Sequence, residues 1–167
     1  MSLVVEPELR VDLARQTLTL WRPAGPSPVY GVSTGLAGCG ELRGSGRTPR
    51  GRHRIRLLIG TGCPENCVFV GRRPTGEIYD AALAARFPER DWILTRILWL
   101  TGLQSGFNRG GLVDTLRRFI YIHGCPDSEP LGVPRSHGCV RMSNRDILEL
   151  FPQIQAGTLV DIRESWD

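Results

Sequence analysis

The sequence predicts a mainly β protein, a β-sandwich or barrel with a few short helices. Three observations predict it. Apolar residues recur at alternate positions in many short segments, and helical spacing is confined to two stretches. The 20 glycines and 12 prolines punctuate the chain where strands must turn. Its 167 residues suit a single domain over 1–167, long enough to bury one sizeable core.

Leu9, Val11 and Leu13 alternate with polar residues, as do Leu18 and Leu20, so a hairpin is expected around Ala14-Arg15-Gln16. Val29 to Thr34 is a third strand. Gly35 to Gly51 is a long Gly-rich loop carrying Arg43, Arg47 and Arg50, and loops of that length are often functional. Strands follow at His53 to Ile59 and Val68 to Val70, flanking a Cys63–Cys67 loop. Asp80 to Phe87 is a helix: Asp80 caps it, Leu83 and Phe87 share a face, and Pro88 stops it. Ile93 to Leu100 is a β-rich run whose Arg96 requires a polar or ionic partner if buried. Gly102 to Gly111 is another loop, and Phe119 to His123 alternates again, delivering His123 at a strand end. Ser143 caps a helix whose apolar face is Ile147, Leu148 and Phe151, with Asp146 at the acidic position of a capping box. Thr158 to Arg163 is the last strand.

Composition narrows the function. The chain is 41% hydrophobic and 23% charged, which argues against disorder. Net charge is +4, with Arg far outnumbering Lys, but the arginines are scattered and no basic run is interleaved with aromatics, so no nucleic-acid partner is expected. An anionic substrate and a merely basic surface both fit that charge. No apolar run reaches the length of a membrane span. Met1-Ser2-Leu3-Val4-Val5-Glu6-Pro7 lacks the basic start and long apolar stretch of an export signal. As the chain stands a cytoplasmic location is expected, and a periplasmic or envelope location requires an export segment missing from this sequence. Five cysteines leave at least one thiol unpaired within the chain; Cys63 and Cys67 are spaced for a local disulfide, for half of a zinc site, or simply as small semi-buried apolar residues.

The chemistry concentrates near the C-terminus. His123-Gly124-Cys125 and His137-Gly138-Cys139 repeat one tripeptide and contain two of the three histidines. A thiol acts as a nucleophile when an imidazole takes its proton, and the imidazole then protonates the leaving group. A Gly- and Pro-containing loop separates His123 from Cys139 and is long enough to bring two strand ends side by side. Gly138 lets the backbone bend and offer N–H groups to an oxyanion. On spacing alone, cysteine acyl transfer, structural cysteines and a Cys2His2 metal cluster all stand open.

Ser136-His137-Gly138-Cys139-Val140-Arg141, preceded by Tyr121-Ile122-His123-Gly124, resembles the signature of the YkuD-type L,D-transpeptidases. Val11-Asp12-Leu13, Val32-Ser33-Thr34-Gly35, Thr48-Pro49 with Gly51, Ile93-Leu94-Thr95-Arg96 and Asn108-Arg109-Gly110-Gly111 extend the likeness over nearly the whole chain. The resemblance implies a mixed-sheet catalytic domain in which Cys139 is the nucleophile, His123 the base and the Gly124 carbonyl the group that orients the imidazole. It implies that His137, Gly138 and the Cys139 amide line the oxyanion pocket and cleft. Ser136 and Arg141 match motif positions, Arg141 either binding a substrate carboxylate or, the favoured reading, bracing its loop through an ion pair. Peptidoglycan stem peptides are the implied partners, no metal or organic cofactor is required, and oligomeric state is left open. The implied reaction is transfer of a stem-peptide acyl group through a Cys139 thioester to an amine. Transfer to water, a carboxypeptidase, is the alternative, and a non-catalytic peptidoglycan-binding or metal-binding module is a third. Asp80–Phe87 and Gly102–Gly111 are candidate lids. Cys125 stands where the family often has Thr, either as a bland replacement or as a thiol able to pair with Cys139 on oxidation.

Overall fold

The computed structural model describes residues 3–167; Met1 and Ser2, which open the segment read for an export signal, lie outside the described residues. Ten strands form one sheet: β1 (Glu8–Asp12), β2 (Thr17–Trp21), β3 (Val29–Ser33), β4 (Gly51–Ile59), β5 (Cys67–Val70), β6 (Arg73–Ile78), β7 (Ile93–Gly102), β8 (Tyr121–Cys125), β9 (Val140–Ser143) and β10 (Leu159–Arg163). Their order is β4-β10-β1-β2-β3-β9-β8-β7-β5-β6, and β7 also pairs with β4, which closes the first eight into a barrel-like ring. Two pairs are parallel, β1 with β10 and β8 with β9, so the sheet is mixed as expected. Two helices, α1 (Ala81–Arg86) and α2 (Asn144–Leu150), complete the fold.

Period-two alternation builds the core. Leu9 and Val11 of β1, Leu18 and Leu20 of β2, Val32 of β3, Leu98 and Leu100 of β7, Ile122 of β8, Val140 and Met142 of β9 and Val160 and Ile162 of β10 are all buried against one another. Their intervening neighbours lie on the opposite face, where Ile97, Tyr121, His123 and Arg141 are buried as well. Helix α2 covers this core with Ile147 and Leu150, and Ser143 Oγ accepts the Asp146 N–H at 3.0 Å as its cap. Asp80 Oδ1 caps α1 by accepting from the Leu83 N–H at 2.7 Å.

Several local expectations change. β6 has no alternating apolar residues and is almost wholly exposed, so nothing in its pattern announced it; pairing with β5 alone makes it a strand. His123 sits in the middle of β8, because Phe119 adopts a φ of +57° and the strand begins only at Tyr121. The buried face of α2 is Asn144, Ile147 and Leu150, with Leu148 and Phe151 only half-buried. All five cysteines are free, so Cys63 and Cys67 form no disulfide; Cys67 Sγ instead donates to the Thr95 carbonyl at 3.6 Å. Arg96 finds no carboxylate; its Nη1 donates to the Cys63 and Thr95 carbonyls at 2.8 and 2.6 Å and its guanidinium lies 5.3 Å from the Phe151 ring centre.

The third histidine is structural. His53 of β4 is fully buried, with Nδ1 at 3.0 Å from the Gly51 carbonyl and Nε2 at 3.0 Å from Thr115 Oγ1. Burial pushes its pKa down to about 4 from 6.5, outweighing the Gly51 carbonyl that favours the cation. The unfolded chain therefore binds this proton first as pH falls. Stability is fully present above 6.5 and is lost as pH falls from 6.5 to about 4, by on the order of 3 kcal/mol at this residue. Urea midpoints at pH 7 and pH 4 measure it, and His53→Gln is expected to flatten the difference.

Candidate active site

Strands β8 and β9 run parallel with Ile122 opposite Val140 and His123 opposite Arg141. Since Ile122, Val140 and Met142 enter the core, alternation puts Tyr121, His123, Cys139 and Arg141 together on the other face. Cys139 lies one residue before β9, level with Tyr121, whose backbone N–H donates to Cys139 Sγ at 3.3 Å. The thiol in turn donates to the Phe119 carbonyl at 3.4 Å. His123 is the next side chain along β8 on the same face. A step of two residues thus joins imidazole and sulfur, without a direct hydrogen bond between them among the described residues.

The imidazole has one defined orientation. His123 Nδ1 lies 2.7 Å from the Gly124 carbonyl, which only accepts, so Nδ1 carries the proton and Nε2 keeps a free lone pair. Burial lowers the His123 pKa below 6.5, against the opposing pull of the Gly124 carbonyl and Asp91. The ring is neutral at pH 7. Burial also pushes the Cys139 thiol up to about 12, although the Tyr121 N–H, Arg141 and Arg118 favour the thiolate. The resting pair is neutral thiol and neutral imidazole.

Gly124 has no room for a side chain: a Cβ there would stand 2.6 Å from both Asn144 Oδ1 and the Leu94 carbonyl. Asn144 is buried beneath it and accepts from Thr95 Oγ1 at 2.5 Å while donating to Asn66 Oδ1 at 2.9 Å. Thr95 sits at a β7 bulge with a φ of +74°, rare for a β-branched residue, and this network offsets the strain.

The turn before Cys139 is clamped. Ser136 Oγ donates to the Cys139 carbonyl at 2.5 Å and accepts the Gly138 N–H at 3.1 Å. Thr48 Oγ1 donates to the Gly138 carbonyl at 2.8 Å and accepts the Gly35 N–H at 2.8 Å. Gly138 has a φ of +124°, and a Cβ there would meet the Arg47 carbonyl at 3.1 Å. Ser136 and Gly138 therefore shape the turn before Cys139, with the Gly138 N–H directed at Ser136 Oγ. Thr48→Val leaves two buried backbone groups without their partner, costing about 1–3 kcal/mol for each. The expected result is a folded enzyme with kcat reduced about tenfold or more, read by steady-state kinetics alongside a melting curve.

Arg141 is braced: Nη2 donates to Asp91 Oδ1 at 3.0 Å, and Nη1 lies 3.7 Å from Glu129 Oε2. The exposed His137 reaches the same Asp91 at 3.4 Å through Nδ1. Burial opposes ionisation of Asp91, but His123, Arg141 and His137 outweigh it and hold its pKa below the ordinary 3.8. Asp91 lies between α1 and β7, so the helix read as a candidate lid anchors the nucleophile turn through its following segment. A cavity of about 280 Å³ opens there, lined by Pro88, Asp91, Trp92, Glu129, His137 and Arg141 among others. Cys125 is buried, donates to the Met142 carbonyl at 3.2 Å and has its pKa pushed up to about 12 by burial. It pairs with Ser143, four residues along β8 from Tyr121. That is about 13 Å of strand, beyond disulfide reach, so oxidation to a Cys125–Cys139 bond is ruled out without unzipping the sheet.

Thr48, Asp91, Arg118 and Asn144 had no assigned site role in the sequence reading. Thr48 stood inside a quoted Thr-Pro turn, the one available signal. Among the described residues no group of three or more His, Cys, Asp or Glu side chains is arranged to hold a metal ion.

The family model of the L,D-transpeptidase catalytic domain, YkuD, matches residues 6–162. The chain belongs to this family. Solved structures with the same fold include the L,D-transpeptidase of Mycobacterium smegmatis (16% identity, 95% of this chain and 58% of that one, TM-score 0.58). Others are an L,D-transpeptidase of Xylanimonas cellulosilytica (20%, 94% and 60%, TM-score 0.53) and L,D-transpeptidase 3 of Mycobacterium tuberculosis (19%, 95% and 62%, TM-score 0.54). The chain thus spans about 60% of the length of these proteins. No curated protein matches the sequence. The family acts on peptidoglycan peptides in the bacterial cell envelope. No helix among the described residues is long and apolar enough to cross a membrane.

Proposed function

We propose that the protein is a cysteine L,D-transpeptidase acting on peptidoglycan stem tetrapeptides in the cell envelope. The observation that carries this reading is the fixed tautomer of His123: its Nδ1 is held by the Gly124 carbonyl, which leaves Nε2 as a base on the face of the sheet that bears Cys139. Substrate draws the two groups together. Nε2 takes the thiol proton as sulfur attacks the carbonyl between the third stem residue and terminal D-Ala. The C–N bond breaks, the imidazolium gives its proton to the departing amine, and D-Ala leaves. A thioester on Cys139 remains. An acceptor amine attacks it, His123 accepts the amine proton, and the C–S bond breaks to return the thiol and a new amide.

Family membership, the Tyr121 N–H and Phe119 carbonyl that aim the sulfur, and the clamped turn support this assignment. Incubation with disaccharide-tetrapeptide tests it. Cross-linked dimer and free D-Ala are expected. Tripeptide and D-Ala without dimer make water the acceptor and the protein a carboxypeptidase. An unchanged tetrapeptide contradicts the enzymatic reading.

A further inference from the structure

Arg118, beside the proposed nucleophile, has no carboxylate partner among the described residues. Arg118 is one residue before Phe119, whose carbonyl accepts from Cys139 Sγ at 3.4 Å. Its Nη2 donates to the Arg47 carbonyl at 2.6 Å, and that oxygen stands 3.1 Å from the position a Gly138 Cβ would take. The guanidinium is therefore tied to both sides of the sulfur, through Phe119 and through the nucleophile turn. Its other partners are the Gly40 carbonyl at 3.2 Å and Ser45 Oγ at 3.4 Å, both neutral. Nε–H and one Nη1–H remain uncommitted.

Arg141 and Arg72 are occupied, while the exposed Arg47 reaches only the Cys39 carbonyl at 3.4 Å. Arg141 pairs with Asp91 and Glu129. Arg72 donates to Tyr121 Oη at 3.0 Å and stacks over Trp99 and Phe119. Glu41, a nearby carboxylate that favours the Arg118 charge, is taken at 2.9 Å by Arg50. Burial works against that charge, and a half-buried cation without an anion is costly. Such a group is retained where an anion arrives with the substrate.

We propose that Arg118 binds the terminal carboxylate of the peptide that Cys139 attacks, and so restricts the site to stems ending in a free carboxylate. The proposal rests on the acyl-transfer reading above. In a peptide cleaved at its last bond, three bonds separate the attacked carbonyl carbon from the carboxylate carbon, so the two lie about 3–4 Å apart. Whatever binds that carboxylate must stand within one side chain of the sulfur, where Arg118 stands. The same contact strengthens as the carbonyl is drawn onto Cys139, and it discriminates against a peptide extended or capped at its C-terminus, whose neutral end would leave the guanidinium unpaired.

Steady-state kinetics on disaccharide-tetrapeptide and on the same compound with a C-terminal D-Ala carboxamide test it, with D-Ala or D-alaninamide release as the signal. The native enzyme is expected to favour the acid over the amide in kcat/KM by about 10–100-fold, mainly through KM, as for a hydrogen-bonded charge pair. Arg118→Gln should lose that preference, falling further on the acid than on the amide until the two are used alike. Arg118→Lys, which keeps the charge, should retain part of the preference, and it decides the matter should the Gln variant fail to fold by circular dichroism. Native enzyme that treats acid and amide alike, or variants that slow both equally, would overturn the proposal while leaving acyl transfer intact. Native enzyme inactive on both compounds would instead remove the acyl-transfer reading, and this assignment with it.

Discussion

Cys139→Ala is expected to give a folded protein whose transpeptidation falls by about 10⁴-fold or more, the scale seen when a covalent nucleophile is removed. The sulfur is half-buried and makes only two weak hydrogen bonds, to the Tyr121 N–H and the Phe119 carbonyl. Both partners are strand-end backbone groups that water can satisfy, so the melting temperature should move by only a few degrees. Cys125→Ala is the matched control. Its sulfur is buried and bonded to the Met142 carbonyl, so the cost is to stability, about 1 kcal/mol, while most activity survives. Kinetics and melts on the two variants should separate cleanly. Inactivation by Cys125→Ala with an active Cys139→Ala would mean that the other His-Gly-Cys unit carries the nucleophile.

His123→Ala should cost about 10³-fold or more in kcat, and the reason lies in the resting protonation states. With the thiol pushed up to about 12, roughly one sulfur in 10⁴–10⁵ is ionised at pH 7–8, so direct attack by a standing thiolate is negligible. A base must take the proton during the reaction. His123 is suited to this because its pKa lies below 6.5, leaving Nε2 unprotonated at neutral pH. The sign follows for pH: activity is present above 6.5 and declines on acidification only below that value, as the imidazole protonates. Iodoacetamide labelling of Cys139 in the free enzyme should be slow at pH 7 and rise about tenfold per pH unit through the alkaline range. Rapid labelling at pH 7 would mean a preformed thiolate–imidazolium pair.

Much of this was legible in the sequence because it is local. Leu9, Val11, Leu18 and Leu20 announce β1 and β2, and Ser143 announces the start of α2, since alternation and capping depend on near neighbours. The association of His123 with Cys139 was legible as a possibility in the loop between them and as a family likeness; its geometric reason, the parallel register of β8 on β9, is a pairing no local pattern encodes. Ring closure by β4 on β7 and the exposed strand β6 were illegible for the same reason. The site's polar supports escaped notice because a buried polar residue looks like a surface one until its partner is placed. Asp91 and Thr48 act on the site from distant stretches of chain, and Asn144 through the remote Thr95 and Asn66. The thiol's protonation state was illegible because the motif supplies an imidazole but says nothing of burial, the largest influence on both groups.

The central claim is that Cys139 carries the acyl group. Its most direct test is intact-protein mass spectrometry after brief mixing with disaccharide-tetrapeptide and rapid acid quenching, with peptide mapping of any adduct. An adduct of the substrate less D-Ala is expected on Cys139 alone, absent from Cys139→Ala and slow to form in His123→Ala. Turnover with no adduct on Cys139, or an adduct mapped to another residue, would contradict it.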